Sequence, residues 1–225
     1  MSAALGALTT VDGLRRRTPW VLAVLGAAAV AVLGAVERYQ DPAYATDRTL
    51  LGAAFGFVVP LWCYGLFESL HRKERTRALV GPLARHGADR RTLTLGLLGT
   101  LVVMSALAGA VLGLLAATVT HPLSDPRFAA DVLACTWSGA AIGAAYAGLL
   151  SLGSIYGRGG RLTALVLDWV FGSGAGYLAL PFPRSSARSL LGGEPVLGMS
   201  QMAALALLLG LTLAWTLVPA LRERR

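Results

Sequence analysis

Residues 92–120 read TLTLGLLGTLVVMSALAGAVLGLLAATVT, a run of 29 residues without a single charged side chain. An α-helix needs about 20 predominantly apolar residues to cross the hydrocarbon core of a bilayer, so this run is long enough. An open β-sheet is excluded because lipid offers its unpaired edges no hydrogen-bond partners. The stretch therefore predicts a membrane-spanning helix.

The rest of the chain has the same character. Its 225 residues are 55% hydrophobic and 14% charged, with a mean hydropathy of +0.62, whereas a soluble domain carries about 25% charged residues. This composition excludes a disordered chain and argues against a water-soluble enzyme. Charged residues divide the sequence into six apolar blocks, which predict one all-α, polytopic membrane domain over residues 1–225. The predicted spans are about 18–36, 49–67, 92–120, 132–157, 162–180 and 195–221.

Basic residues are unevenly distributed between the connections. With six spans, 15 of the 20 basic residues fall on the side of the N-terminus and five on the opposite side. Because Lys and Arg accumulate in cytoplasmic connections, both termini are predicted to be cytoplasmic. The many Arg, Ala, Gly and Leu residues are typical of a GC-rich bacterial genome, so the expected location is the bacterial cytoplasmic (inner) membrane. The positive charge thus orients the helices in the lipid bilayer and does not indicate nucleic acid binding.

The inner connection between the second and third spans has a pattern of its own. Residues 74–86 can form a short helix with apolar residues on one side and arginines elsewhere. Gly87 can end that helix, and Asp89 can cap the helix that follows. A helix of this kind on the membrane surface either docks a cytoplasmic partner or binds anionic lipid headgroups. The residues alone leave both interpretations open.

The same connection contains, in order, a Glu-Arg pair, a Leu, a Pro-Leu pair, an Arg-Arg pair and a Leu-x-Leu-Gly segment. These residues are Glu74, Arg75, Leu79, Pro82, Leu83, Arg90, Arg91, Leu95 and Gly96. Together with six spans and two cytoplasmic termini, this order resembles the membrane (permease) subunits of ABC-2-type exporters. The family's usual Gly-Thr-Leu-Glu run is replaced here by Thr76-Arg77-Ala78-Leu79.

The resemblance implies a function and a set of partners. In that family the segment is a coupling helix that docks a separate cytoplasmic ABC ATPase, so residues 74–92 are expected to bind such a subunit. A second copy of this chain, or a related permease subunit, would complete the substrate pathway. The connection between the fifth and sixth spans is expected to hold short re-entrant helices.

The sequence shows none of the residue patterns that would indicate a catalytic site. The only lysine, Lys73, is not preceded by the Gly-x-x-x-x-Gly of a phosphate-binding loop. The cysteines Cys63 and Cys135 have no metal-ligand spacing, and Ser173 has no His partner at membrane depth. We therefore expect no catalytic residue, metal or cofactor here, and expect ATP and Mg²⁺ to bind the partner ATPase.

Asp168 is the only acidic residue well inside a predicted span. A carboxylate at this depth either pairs with an arginine from the basic inner connections, or lies in a water-filled inner vestibule, or takes part in substrate passage or gating. Tyr146 and Tyr177 are the other polar candidates for a substrate pathway, and so short a list favours a lipid-like or apolar cargo.

The alternative function is the substrate-binding membrane subunit of a small-molecule uptake transporter, which would bind its ligand tightly without an ATPase.

Small residues recur at four-residue spacing in Gly109-x-x-x-Gly113 and Gly139-x-x-x-Gly143. Such spacing lets helix backbones approach closely where lipid provides no hydrophobic driving force. It predicts either tight packing within the helix bundle or a homodimer face or moving helix seam.

Overall fold

The computed structural model describes residues 2–14, 16–71, 74–122 and 124–222, and these ranges contain helices and no β-strand. A π-helical segment (Thr49–Val58) and three short 3₁₀ turns (Ser154–Tyr156, Tyr177–Ala179 and Val196–Gly198) accompany the α-helices. The α-helices are α1 (Ser2–Leu14), α2 (Arg17–Gln40), α3 (Ala45–Arg48), α4 (Val59–His71), α5 (Thr76–Ala84), α6 (Arg90–Thr120), α7 (Phe128–Gly153), α8 (Arg158–Phe171), α9 (Pro183–Leu190) and α10 (Gln201–Arg222).

Within the described ranges, five helical segments are long and apolar enough to cross a membrane. They are α2, the run of helical segments that begins at Ala45, α6, α7 with the turn that follows it, and α10. These segments correspond to the first, second, third, fourth and sixth predicted spans. The prediction of an all-α chain with several membrane-length helices is therefore confirmed.

The fifth predicted span, 162–180, is not one continuous helix, and the expected count of six spanning helices is not reproduced. α8 ends at Phe171 after 14 residues, which at 1.5 Å per residue is about 21 Å and shorter than the hydrocarbon core. Three glycines at 172, 174 and 176 follow it, and glycine is the weakest helix former after proline. The chain then makes a 3₁₀ turn, and Pro183 begins the short helix α9.

α7 forms the centre of the helix bundle, since every residue from Ala141 to Ser151 is buried. α6 packs along it with direct backbone contact. A Cβ atom placed on Gly109 would lie 2.1 Å from the carbonyl oxygen of Gly139, and one placed on Gly139 would lie 2.3 Å from that of Gly109. The predicted glycine spacing therefore serves packing within this chain, which is the first of its two interpretations.

α1 packs against the beginning of α6. A Cβ atom on Gly96 would lie 2.2 Å from the carbonyl oxygen of Ala3, and one on Gly6 would lie 2.3 Å from that of Leu93. The Thr10 hydroxyl also reaches across to the Leu97 carbonyl at 3.2 Å. α1 is thereby held at the same end of the molecule as α5 and the end of α4.

Candidate coupling site

The connection between α4 and α6 contains the short helix that the sequence predicts, with narrower bounds. α5 covers Thr76–Ala84, and Gly87 follows it with a φ of +87°, a conformation that favours glycine. The Asp89 carboxylate accepts a hydrogen bond from the backbone N–H of Thr92 at 2.9 Å and so caps α6. Hydrogen bonds from the Thr92 hydroxyl and N–H hold the pKa of the Asp89 carboxyl below its ordinary value of 3.8.

The residues predicted to dock an ATPase fall into two groups. The exposed ones are Glu74, Arg75, Pro82 and Arg90, and the partly buried ones are Leu79, Leu83 and Arg91. Leu79 and Leu83 line a groove of about 450 Å³ whose other walls come from α1 and from Leu70 of α4. Leu79 packs against the hydrophobic core and so faces its own chain, while the exposed group is accessible to a partner.

The first residue of α5 is fixed by a chain of buried polar contacts. The Thr76 hydroxyl lies 2.7 Å from the Ser154 hydroxyl and 3.3 Å from Nε2 of His71. Nδ1 of His71 lies 3.2 Å from the Phe67 carbonyl oxygen and donates to it, since that oxygen has no hydrogen. In a neutral His71, Nε2 carries no hydrogen and can only accept, so Thr76 is the donor in that contact. The contacts tie α5 to the ends of α4 and α7.

A buried arginine makes a second connection to the same region. Arg161 of α8 is 0% exposed and contacts Oε1 of Glu68 through Nε at 2.9 Å and Nη2 at 2.6 Å. Its Nη1 donates to the backbone carbonyl of Glu74 at 3.3 Å, just before α5. The exposed Arg158 lies 3.7 Å from the other oxygen of Glu68. Arg161 therefore joins α4, α8 and the start of the α5 connection.

A separate buried cluster surrounds Asp168. The Tyr146 hydroxyl of α7 donates to its Oδ2 at 3.0 Å, and Nε of Arg184 lies 3.5 Å from the same oxygen. The backbone N–H of Arg184 donates to Oδ1 at 3.1 Å, and its Nη2 donates to the carbonyl of Gly56 in the π-helical segment. The Asp168 carboxylate and its partner Arg184 together connect four helical segments, and this arginine comes from α9 rather than from an inner connection.

The close approach of α9 to α8 depends on a glycine. A Cβ atom on Gly172 would lie 2.4 Å from the Asp168 carbonyl oxygen and 3.0 Å from the Cβ of Arg184. With no side chain there, the Asp168 carboxylate reaches an N–H in the first turn of α9, where a negative charge stabilises the helix. Asp168 therefore acts as an N-terminal cap for a helix that begins 15 residues later in the chain.

The structure unites some of the residues predicted for the substrate pathway and separates others. Asp168 and Tyr146 are in contact and buried, whereas Tyr177 lies on a 3₁₀ turn with 78% of its surface exposed. The roles of Arg161 and Arg184 were not predicted from the sequence, where both residues contribute only to the charge difference between the two sides of the membrane. Two sequence features mark these arginines. A Gly-Gly pair directly precedes Arg161, and Pro183, which favours the start of a helix, directly precedes Arg184.

Comparisons of the chain with models of known protein families, with curated proteins and with solved structures found no match. Within the described ranges, no three His, Cys, Asp or Glu side chains are placed to hold a metal ion. The site thus consists of the two polar clusters described above, each with a different role in the fold. The one around Arg161 and Thr76 links a short, partly exposed helix to three longer ones, and the one around Asp168 holds α9 in place.

Proposed function

We propose that this chain is the membrane-spanning permease subunit of an ATP-driven exporter of the ABC-2 type. In this proposal α5 and its flanking residues, 74–92, dock a separate cytoplasmic ATPase subunit. The observation that carries it is that α5 has exposed charged residues at its start, Glu74 and Arg75, while Thr76 beside them is buried and bonded to the helix bundle. A partner that binds the exposed residues would act directly on the bundle.

The contacts define how a movement of α5 would spread. Thr76 contacts His71 at the end of α4 and Ser154 directly after α7. Arg161 of α8 donates a hydrogen bond to the Glu74 carbonyl. In the proposed mechanism, ATP binding closes the ATPase dimer and draws together the α5 helices of two permease subunits. These contacts then transmit the movement to α4, α7 and α8, which opens or closes the pathway. The chain itself hydrolyses no nucleotide, since ATP and Mg²⁺ belong to the partner.

The order of elements also supports the proposal. The surface helix α5 between the second and third long segments and the short helix α9 before the last one match features that the ABC-2 resemblance implies, whereas α8 is shorter than the continuous fifth span that it also implies. In this proposal α8 and α9 together make the sixth crossing, because α8 begins beside the α5 connection and α9 meets it near its far end through Arg184 and Asp168. With basic residues marking the inner side, both termini are cytoplasmic in this proposal, and the location is the bacterial inner membrane.

The polar clusters bear on the class of cargo. Tyr146 and Asp168, two of the polar groups expected at membrane depth, already bond to each other and to Arg184. Few groups are then left to replace the water around a polar solute. We therefore propose a lipid-like or apolar cargo rather than a sugar.

Co-purification tests the docking proposal. The tagged chain is extracted from its native membranes in mild detergent, and the eluate is assayed for a P-loop ATPase and for ATP hydrolysis. The variant E74R/R75E reverses both exposed charges and is expected to lose the ATPase, because the docking charges become repulsive. The control E194R/R127E makes the same reversal at exposed positions in other connections and is expected to retain it.

Two results would contradict the proposal. Unchanged ATPase recovery with E74R/R75E would remove the docking role of this connection. Tight binding of a small molecule by the purified chain in the absence of any ATPase would instead indicate the substrate-binding subunit of an uptake transporter.

A further inference from the structure

A cavity of about 640 Å³ lies between α5, the turn Ser154–Tyr156 and the last turn of α10. Its wall combines two kinds of side chain, three arginines and several aliphatic residues. The arginines are Arg75, Arg77 and Arg222, and the aliphatic residues include Ile155, Val218 and Leu221. A site with this lining suits a ligand that has both a negative charge and an apolar part.

The charge in the cavity is not balanced by its own wall, because no acidic residue lines it in the described ranges. Glu68, a partly buried carboxylate at the same end of the molecule, is engaged by Arg161 and Arg158. The guanidinium of Arg222 lies over the ring of Tyr156, 6.0 Å from its centroid. This contact orients one of the three cations at the edge of the cavity.

The position of the cavity relative to the membrane indicates which class of anionic ligand can reach it. α10 is one of the helices long and apolar enough to cross a membrane, and Arg222 is its last residue. Tyr156, at the end of the α7 segment, is 65% exposed, as expected for an aromatic residue at the interface of lipid and water. The cavity therefore lies at the depth of lipid headgroups.

We propose that this cavity binds the phosphate group of an anionic phospholipid, such as phosphatidylglycerol, from the leaflet that surrounds α5. Guanidinium groups recognise phosphate oxygens with paired, charge-assisted hydrogen bonds, and Ile155, Val218 and Leu221 would contact the first methylenes of the acyl chains. Basic pockets between helices at a membrane surface bind anionic headgroups in this way. A zwitterionic lipid is disfavoured because its ammonium group would approach three like charges. The proposal goes beyond the exporter function and rests only on membrane location.

Native mass spectrometry of the purified chain in detergent tests the site. The chain is titrated in parallel with phosphatidylglycerol, with phosphatidylcholine and with inorganic phosphate. The variant R77Q/R222Q removes two exposed cations of the cavity, one on α5 and one at the end of α10. Loss of charge-assisted hydrogen bonds is expected to weaken phosphatidylglycerol binding about 10-fold or more. The control R85Q/R90Q removes two exposed cations from the same end of the molecule but outside the cavity, and is expected to bind like the unmodified chain.

Each contrary result identifies another explanation. An equal loss in R85Q/R90Q would show diffuse attraction to the charged surface, and equal binding of phosphatidylcholine would show an unspecific apolar groove. Displacement of phosphatidylglycerol by millimolar inorganic phosphate would assign the cavity to a soluble phosphate ligand. Unchanged phosphatidylglycerol binding in R77Q/R222Q would overturn the proposal, because the cations of the cavity would then not hold the lipid. Because the lipid titration contains no ATPase, its outcome is independent of the exporter proposal.

Discussion

The Arg184 side chain lies 3.5 Å from the Asp168 carboxylate, measured from Nε to Oδ2, and its backbone N–H donates to the other oxygen of the same group. Asp168 is 1% exposed and sits near the end of α8, whereas Arg184 belongs to the first turn of α9. The pair thus joins two short helices that the sequence analysis had placed in a span and in an outer connection. A single buried carboxylate both neutralises the arginine and caps its helix.

The first prediction concerns this pair. Asp168→Asn leaves the largely buried Arg184 cation without its counter-charge and is expected to lower stability by about 3 kcal/mol. Thermal unfolding in detergent measures the change, and the exposed carboxylate variant Glu194→Gln serves as the control. In D168N/R184Q both charges are absent, so this double variant should be more stable than D168N alone. Additive losses from the two substitutions would show that the residues are not coupled.

The second prediction separates two arginines that contact the same glutamate. Arg161→Lys loses the paired hydrogen bonds to Glu68 and the contact with the Glu74 carbonyl, so α5 is expected to detach more often. Limited trypsin digestion measures this as faster cleavage in the segment that contains Arg75, Arg77 and Arg85. Arg158→Lys is the control, because Arg158 is exposed and lies at 3.7 Å from Glu68. Equal cleavage rates in the two variants would argue against Arg161 as the anchor of the connection.

The third prediction concerns the backbone contact between α6 and α7. Gly109→Ala places a methyl group 2.1 Å from the Gly139 carbonyl oxygen, so the helices must separate. The expected cost is about 2–3 kcal/mol, measured by thermal unfolding. Gly99→Ala in the same helix meets no atom within 4 Å and is expected to leave stability unchanged or raise it by about 0.5–1 kcal/mol. If both variants behaved alike, the close contact would not exist in the membrane.

The fourth prediction concerns the cap of α6. Because the folded pKa of Asp89 is lowered by Thr92, its contribution to stability is present above the ordinary value of 3.8 and is lost as the pH falls through the lower folded value. Protection of the 85–92 segment from acid-active protease should therefore decrease below about pH 4. Asp89→Asn keeps a capping oxygen without a titrating charge and should remove this pH dependence. A persistent decrease in that variant would assign the acid sensitivity to another group.

Much of the helical architecture was determined by the sequence alone. Long runs without charge predict spanning helices, because a charged side chain in the bilayer core is costly and marks where each span ends. The short helix α5, its end at Gly87 and the Asp89 cap are also local features. They depend on the conformational freedom of glycine and on a carboxylate three residues from an N–H. The structure confirms the short helix and the cap, and it ends the helix at Ala84, with Gly87 at a positive φ in the turn that follows.

Only the tertiary structure decided which distant residues meet. Arg161 and Glu68 are 93 residues apart, and Arg184 and Gly56 are 128 apart, so no local spacing links either pair. The break in the predicted fifth span also depends on such contacts, because Gly172 permits the turn but Asp168 and Arg184 hold α9 against α8. A run such as 92–120 determines that a segment enters the membrane, since burial of apolar surface depends on composition. The pairing of buried charges depends on the positions of all the helices together, and composition does not specify those positions.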